Sequence, residues 1–445
     1  MDLSRRIFLS AAPMMAAGAT ATGPALAAGV SPIILATDLG LKPNAKGDQS
    51  TAMRKAIAKA SERGGALFLP AGTYRLSDVR IDRPIAIHGI RGGTKLVTAT
   101  GSGIFTIEAA SVTLDGIGFE GEATPAESEN DLVSASSSPS LTIRDCTFDN
   151  FAGTGLMLKQ CSGRLIHNSV SNVGRTGIFA LDSIGLDISG NDLQDIGNNG
   201  IQVWTSEQRP DGTIVSGNRI ERVRFDKGGT GQNGNGIVVF RAGNVIVSHN
   251  RVSDCGYSAV RNNSGRNCQI VNNSVSRLAE TAIYVEFAFD GAVISGNVVE
   301  TAASGISITN FNEGGRLAVC ANNVLRHITG GGSNPETRGV AIGAEADTIV
   351  TGNVIEEAAY CGLHLGWGRY ARNLLASGNL MRMCGTAIVA SVSQGAGPMS
   401  ITGNMIAQSG KAIVGMDHST VITDDLAVAH AAIPAHLTIS GNMVS

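Results

Sequence analysis

A short pattern recurs along most of this chain: an apolar residue, any residue, glycine, asparagine, any residue and a second apolar residue. One copy is Ile294-Ser295-Gly296-Asn297-Val298-Val299. The column of fourth positions begins with Ile117 and Cys146, and successive copies from there to the C-terminus lie 22–38 residues apart. The asparagines in that column are Asn168, Asn191, Asn218, Asn250, Asn273, Asn297, Asn323, Asn353, Asn379, Asn404 and Asn442. Self-similarity on this scale indicates a solenoid.

A second stretch repeats out of phase with the first. Gly200-Ile201-Gln202-Val203 and Gly305-Ile306-Ser307-Ile308 are two of its copies, and both alternate inward and outward residues as strands do. No helical pattern lies between the strands, and a leucine ladder is absent, which excludes a leucine-rich repeat. We therefore predict an all-β chain: a single-stranded parallel β-helix of about a dozen coils, each stacked roughly 4.8 Å from the next.

The asparagine column has a structural explanation. Asparagine tolerates the left-handed turn conformation, and its amide can hydrogen-bond to the backbone or to the next asparagine along the stack. We expect a structural ladder here rather than a set of catalytic residues.

Composition excludes several classes of partner. The 445 residues include 57 glycines, aromatic residues make up only 4%, and the net charge is −3 with no basic stripe, so we expect no nucleic-acid partner. No long apolar run lies beyond the N-terminal region, so we expect no membrane span in the mature form. The seven cysteines form no CxxC pair, so we expect no metal and no cofactor. We expect most of them to face inward, and one or two disulfides stay open as an alternative.

The N-terminus carries the features of an export signal. Arg5 and Arg6 precede Ile7-Phe8-Leu9 and an alanine-rich run that ends in Ala25-Leu26-Ala27. This arrangement resembles a twin-arginine signal peptide. The resemblance implies a signal over 1–27, the twin-arginine translocase as a partner during export, and a periplasmic or secreted location.

The chain after the signal divides into a linker over 28–47 and a β-helix domain over 48–445. Residues 48–63 have the pattern of a helix, with Met53, Ile57 and Ala60 on one face. An open solenoid end exposes unpaired backbone and apolar interior, so this helix is expected to cap it. At the other end we expect the insertion over 417–436, which has a plausible helix start at Thr423, to fold back as a second cap.

The region around the helix resembles a known fold family. Asp48-Gln49-Ser50-Thr51-Ala52, followed by residues 64–74 (GGALFLPAGTY), is similar to the N-terminal cap and first coil of pectin-lyase-like right-handed β-helix proteins. The twin-arginine signal together with the Gly-Asn repeats resembles a family of twin-arginine-translocated repeat proteins. The resemblance implies the right hand of the helix. It also implies work on polysaccharides along the outer face of one sheet.

The sheet that this resemblance selects is built from the Gly-Ile strands. No aspartate cluster precedes their glycines, which disfavours a polygalacturonase-type hydrolase with paired carboxylates. Sparse acidic residues also disfavour a calcium-bridged uronate site.

The outward positions of these strands form a mixed aromatic and polar patch. We predict binding roles for five residues on the third to sixth coils of this sheet or just beyond: Gln202, Trp204, Phe240, Arg241 and Asn263. The insertions over 206–212 and 226–234 are expected to form the walls of a groove. A third insertion over 329–337 and the aromatic stretch over 366–370 lie farther along.

Three further residues of the patch suit lyase or C5-epimerase chemistry on a uronate. Arg261 can neutralise the carboxylate, Tyr284 can act as base or acid, and Glu286 can act as acid or tune Tyr284. His364 is a separate candidate about three coils away. The alternatives are that the rings form a satellite core under the loops, that Arg261 and Glu286 are a surface ion pair, and that the protein is a non-catalytic glycan-binding or cell-surface solenoid.

Overall fold

A computed structural model describes residues 33–121, 130–428 and 431–445. The predicted signal peptide, with Arg5 and Arg6, lies outside these described residues. The chain forms a parallel β-solenoid of about 13 turns with one short helix near the N-terminus. This confirms the predicted all-β parallel β-helix. Each coil adds one strand to each of three sheet faces, here called A, B and C.

Face A precedes the asparagine column in every coil. It is a continuous parallel sheet of 16 strands. Its strands are Ile33–Leu35, Ala66–Phe68, Ile85–His88, Ser111–Asp115, Ser140–Arg144, Gly163–Ile166, Asp187–Ser189, Ile214–Ser216, Ile246–Ser248, Arg266–Val271, Asp290–Ser295, Arg316–Ala321, Thr348–Thr351, Leu374–Ser377, Met399–Thr402 and Leu437–Ser440.

Face B follows the asparagine column. Its strands are Gly72–Leu76, Thr94–Thr98, Gly118–Glu120, Thr147–Phe151, Ser169–Val173, Asp192–Ile196, Arg219–Val223, Arg251–Cys255, Val324–Ile328, Val354–Ala358, Leu380–Arg382, Met405–Ala407 and Met443–Val444. Two longer strands, Ser274–Glu286 and Val298–Ile308, bend from face B into face C.

Face C contains the Gly-Ile strands and closes each coil. Its remaining strands are Val79–Ile81, Phe105–Ile107, Asp131–Ser136, Thr154–Lys159, Thr176–Leu181, Asn199–Pro210, Asn235–Gly243, Val260–Asn263, Val340–Ala344, Cys361–Leu365, Thr386–Ser391, Ile413–Asp417 and Thr420–Asp425. Inward residues of the three faces form one continuous apolar core.

The asparagine column forms an unbroken amide ladder at the turn from face A to face B. Asn297 is representative: its backbone N–H and Nδ2 both donate to Asn323 Oδ1 at 2.9 and 3.0 Å, and Nδ2 also donates to the Ile270 carbonyl at 2.9 Å. The left-handed residue is the one before the column, such as Gly296 with φ 68°. The expected ladder is therefore present, but the turn conformation is supplied by the preceding glycine, histidine or asparagine.

The N-terminal end is closed as the helical pattern predicts. The helix runs Ser50–Glu62, buries Met53, Ile57 and Ala60, and packs against the first coil. The described residues of the predicted linker include part of the solenoid. Ile33–Leu35 pairs with Ala66–Phe68 as the first strand of face A, and a short 3-10 helix, Ala36–Leu39, follows it.

The insertion near the C-terminus is a hairpin strand rather than a helix, so the predicted helix start at Thr423 is wrong. Thr420–Asp425 pairs antiparallel with Ile413–Asp417, the last strand of the face C stack. Four consecutive β-branched residues after the turn, Thr420-Val421-Ile422-Thr423, favour a strand there. The Asp425 carboxylate accepts the N–H groups of Ala412 and Ile413, and buried Leu426 packs onto the core. The insertion thus covers part of this end.

All seven cysteines are buried and none is disulfide-bonded. Six of them lie in the main apolar core, so the expectation that most face inward is confirmed. Cys361 instead packs in a separate cluster with Val389, Val414 and Met416. Among the described residues, no helix is long and apolar enough to cross a membrane. Within the same residues, no three His, Cys, Asp or Glu side chains are grouped to hold a metal ion.

Candidate functional site

The outer surface of face C carries the candidate residues. On successive coils one outward column reads Gln202, Val238, Arg261, Tyr284, Ser307, Gly343 and His364. Six coil steps separate Gln202 from His364, roughly 29 Å at one strand spacing each. His364 lies four steps from Arg261, one more than expected, so these two residues do not share a site.

The first region is a cleft of about 530 Å³, here called the Trp204 cleft. Its lining includes Asp131, Arg175, Phe179, Gln202, Trp204 and Lys227. The Phe179 and Trp204 rings meet edge to face at 5.2 Å, and Phe240 stands behind Trp204 at the same centroid distance. Of the predicted binding residues, Gln202 and Trp204 line this cleft and Phe240 supports it.

Polar groups of the Trp204 cleft are fixed in place. The buried Gln202 side chain accepts a hydrogen bond from Thr176 Oγ1 at 2.7 Å, which leaves its amide nitrogen as the group for further contacts. Burial raises the pKa of the Asp131 carboxyl to about 6, against the opposing effect of Thr154 and Arg175. Asp131 therefore holds its proton to a higher pH than an ordinary carboxyl group does.

One predicted wall of the cleft is present. The insertion over 226–234 contributes Lys227 and Asn233 to the lining, and it is anchored at several points. The Lys227 N–H donates to Asn198 Oδ1 at 2.9 Å, and Asn199 Nδ2 donates to the Gln232 carbonyl at 3.1 Å.

The other predicted wall, over 206–212, does not reach the cleft. Most of it continues the strand Asn199–Pro210, which pairs with Asn235–Gly243 around a bulge between Trp204 and Arg209. Arg241 donates to the Ser206 carbonyl at 2.8 Å and stacks over Phe240 at 4.7 Å, outside the cleft.

The second region is a closed cluster of Arg261, Glu280, Tyr284 and Glu286, here called the Arg261 cluster. Arg261 makes a bidentate pair with Glu286 at 2.7 and 3.0 Å, and its Nη1 donates to the Gly231 carbonyl at 2.8 Å. Glu280 lies 3.6 Å from the same Nη1. The side chains of Arg261 and Glu286 are only 12% and 3% exposed, so this is a buried ion pair rather than a surface one.

The insertion over 226–234 roofs this cluster. A Cβ added at Gly231, where φ is +127°, would lie 1.9 Å from Arg261 Nη1. Burial raises the pKa of Tyr284 to about 12, and Asn263 Nδ2 donates to Glu286 at 3.0 Å. The sequence register thus brought Arg261, Tyr284, Glu286 and Asn263 together correctly. Their closure and pairing do not favour the cation and base roles predicted for Arg261 and Tyr284.

The third region is a cavity of about 340 Å³, here called the His364 cavity. Its lining includes Arg338, Gly343, Glu345, Tyr360, His364 and Trp367. Burial, and next the charge of Arg338, lower the pKa of His364 to about 4, so its imidazole is neutral at physiological pH. The insertion over 329–337 and the aromatic stretch over 366–370 both contribute to this cavity, through residues such as Thr337 and Trp367.

Several residues of these sites were not candidates from sequence. Asp131 begins a face C strand that has leucine where the other strands have glycine or alanine, and Tyr360 precedes the strand Cys361–Leu365. The repeat therefore gives no signal for either residue. In this coil the outward position is Gly343, four residues after Gly339 rather than two as in other coils: Gly343 lies in register with Ser307 and His364, and Ala341 is fully buried. The long insertion before this strand displaces the register that the glycine marks elsewhere.

The comparisons identify the family. Residues 86–220 and 155–324 match the family model described as right handed beta helix region. The matched segments together span more than half of the chain, so the chain belongs to this family, and the predicted right hand is confirmed. No curated protein matches the sequence.

Solved structures share the fold at low identity. The catalytic unit of a thermostable GH87 α-1,3-glucanase from Streptomyces thermodiastaticus strain HF3-3 is 16% identical, with a TM-score of 0.51 over 93% of this chain and 68% of that one. The N-terminal fragment of gene product 12 of bacteriophage Phi29 is 13% identical, with a TM-score of 0.52 over 88% and 73%. The A-module of the mannuronan C-5 epimerase AlgE6 of Azotobacter vinelandii is 16% identical, with a TM-score of 0.47 over 92% and 99%. At these identities the likeness shows the fold alone.

Proposed function

We propose that this protein binds polysaccharide on the outer surface of face C, with the Trp204 cleft as its main contact, after export by the twin-arginine route. One observation carries the proposal: an open cleft places the Phe179 and Trp204 rings beside amide and charged side chains. Aromatic rings pack on the faces of sugar rings, and a few polar groups orient the hydroxyls.

The anchored wall of the cleft supports the same function. Because the insertion over 226–234 is already held by hydrogen bonds to Asn198, Asn199 and Arg261, little loop ordering is needed when a ligand binds. We propose that Arg261 and Glu286 fasten this wall. In that role they need not touch the substrate.

Catalysis is the weaker candidate for the Arg261 cluster. Elimination or epimerisation of a uronate needs a cation that is free to meet the carboxylate, and Arg261 is already paired with Glu286. In the Trp204 cleft, Asp131 is the only carboxyl group among the described lining residues, whereas glycoside hydrolysis uses two. Binding is therefore the function that this geometry supports best.

Retention on immobilised polysaccharides tests the proposal. The panel should include uronate-rich chains, neutral chains and α-1,3-glucan, the substrate named for the glucanase neighbour. Trp204→Leu keeps an apolar side chain but removes the flat ring, so retention should fall about tenfold, an energy near 1.4 kcal/mol, with a small change in melting temperature. Leu317→Ala removes an exposed apolar side chain from face A and should leave retention unchanged.

Two results would count against this function. Equal retention of wild type and Trp204→Leu would place the contact elsewhere. New absorbance from unsaturated chain ends, lost in Arg261→Ala and Tyr284→Phe, would instead establish a lyase at the Arg261 cluster.

A further inference from the structure

The His364 cavity exists because one outward position has no side chain. Gly343 lies between Ser307 and His364 in the face C column. A Cβ built there would meet nothing nearer than Val340 Cγ1 at 3.8 Å, and its φ is outside the left-handed region. The backbone therefore does not require glycine, and the space above Gly343 is open to a ligand.

Polar groups converge on this space. Tyr360 Oη is buried and has no hydrogen-bond partner among the described residues. His364 presents a neutral imidazole. The Glu345 carboxylate is oriented by Thr309 Oγ1 and by the Phe311 N–H at 3.2 Å. A buried hydroxyl without a partner lowers stability unless a ligand or water completes it.

The walls come from distant parts of the chain and are held rigidly. The Ser333 N–H donates to the Ala279 carbonyl at 2.7 Å, and its hydroxyl donates to the Gly256 carbonyl, which fixes the insertion over 329–337. Arg338 donates to the Ser419 carbonyl at 3.1 Å and lies over the Tyr360 ring at 5.3 Å. The cavity is thus preformed, as small-molecule sites usually are.

Size, charge and shape narrow the ligand class. About 340 Å³ is near the lower end of the range for small-molecule sites, so one ring fits rather than a chain. Trp367, 39% exposed, offers an aromatic face at the rim. The two lining carboxylates, Glu336 and Glu345, outnumber the single cation Arg338, which disfavours an anionic ring.

We infer that the His364 cavity is a second binding site, separate from the Trp204 cleft, and that it takes a single sugar ring that carries no negative charge. Tyr360 Oη and the His364 imidazole contact ring hydroxyls, Glu345 accepts from them, and Trp367 packs on a ring face. The inference goes beyond the proposed function, because a free monosaccharide can fill this cavity whether or not a polysaccharide binds roughly 29 Å away.

Ligand-observed NMR and calorimetry with free monosaccharides test this site on the full chain. Neutral hexoses should bind, while glucuronate should bind more weakly. Gly343→Leu fills the cavity and should abolish binding. Thr142→Leu, which adds the same side chain to the outer surface of face A, should leave it unchanged.

A second variant separates binding from folding. Tyr360→Phe removes only the unpartnered hydroxyl, so affinity should fall about tenfold while the melting temperature stays the same or rises. Trp204→Leu should not affect monosaccharide binding. The monosaccharide test can therefore succeed even if the polysaccharide test fails.

Three outcomes would overturn the inference. These are no binding of any monosaccharide to the wild type, unchanged binding in Gly343→Leu, or preference for glucuronate over the neutral hexoses.

Discussion

Two sides of the solenoid differ in whether their buried polar atoms have hydrogen-bond partners. At the turn from face A to face B, each buried asparagine of the column repeats one set of hydrogen bonds from coil to coil. On face C and beside it, buried polar atoms of Trp204, Thr205, Asn262 and Tyr360 have no partner among the described residues. The asparagine ladder stabilises the stacking of the coils, and face C carries the proposed binding surfaces.

The largest effect should come from opening the Arg261 cluster. Arg261→Ala leaves Glu286, 3% exposed, without its bidentate partner and removes the anchor of Gly231. Breaking a buried pair from one side costs about 3–5 kcal/mol, which urea denaturation should register as a lower unfolding free energy.

An exposed pair of the same geometry provides the control. Arg277 contacts Asp254 through Nε at 2.7 Å and Nη2 at 2.6 Å, but its side chain is 59% exposed. Arg277→Ala should cost less than about 1 kcal/mol. If both arginine variants lose the same unfolding free energy, burial does not explain the contribution of the Arg261–Glu286 pair to stability.

The next effect should come from the middle of the ladder. Asn297 Oδ1 accepts both the backbone N–H and Nδ2 of Asn273 at 3.0 Å, and both bonds are buried. Asn297→Ala leaves that N–H without an acceptor, so the unfolding free energy should fall by about 3 kcal/mol.

The last rung of the ladder tests whether burial is the cause. Asn442 accepts the same two bonds from Asn404, but it is half-buried. Asn442→Ala should cost about 1 kcal/mol or less, because water can replace the lost acceptor. Equal losses at Asn297 and Asn442 would contradict this account.

The smallest of these effects on stability depends on pH and tests whether the pKa of Asp131 in the Trp204 cleft is raised. Asp131 has a folded pKa of about 6, above its ordinary value of 3.8, so the folded state binds more protons in between. Wild-type stability should therefore fall, relative to Asp131→Asn, as pH rises from 4 to 6. At pH 7 the variant should be the more stable, by at most about 3 kcal/mol.

The paired Asp195 on face B should give the opposite dependence of stability on pH. Its hydrogen bond with Arg222 lowers the pKa of Asp195, so stability there is lost as pH falls instead. Thermal unfolding of Asp131→Asn and Asp195→Asn from about pH 2 to pH 7 checks both, because the Asp195 contribution is lost only below its ordinary pKa. Parallel pH profiles for the two variants would show that Asp131 is not a raised carboxyl.

The fold was predictable because the spacing and the alternation of the repeat indicate a solenoid of stacked strands. The asparagine column fixed the register, and the register correctly placed Arg261, Tyr284 and Glu286 on adjacent coils. Burial was not predictable, because Gly231 and the rest of its insertion lie outside the repeat and their position depends on tertiary contacts. The same limit explains the shift from Ala341 to Gly343 and the hairpin at Thr420–Asp425, both of which follow or form part of an insertion.

The ladder also bears on how such a molecule changes its length. Every interior asparagine meets its neighbours through the same bonds, although the spacing between asparagine rungs varies from 23 to 38 residues. A whole coil can therefore be removed or duplicated, and the two rungs brought together still match. Gene duplication of single coils can adjust the reach of the protein in steps of roughly 4.8 Å. Loops on face C can meanwhile diverge coil by coil, as those beside the Trp204 cleft and the His364 cavity have done.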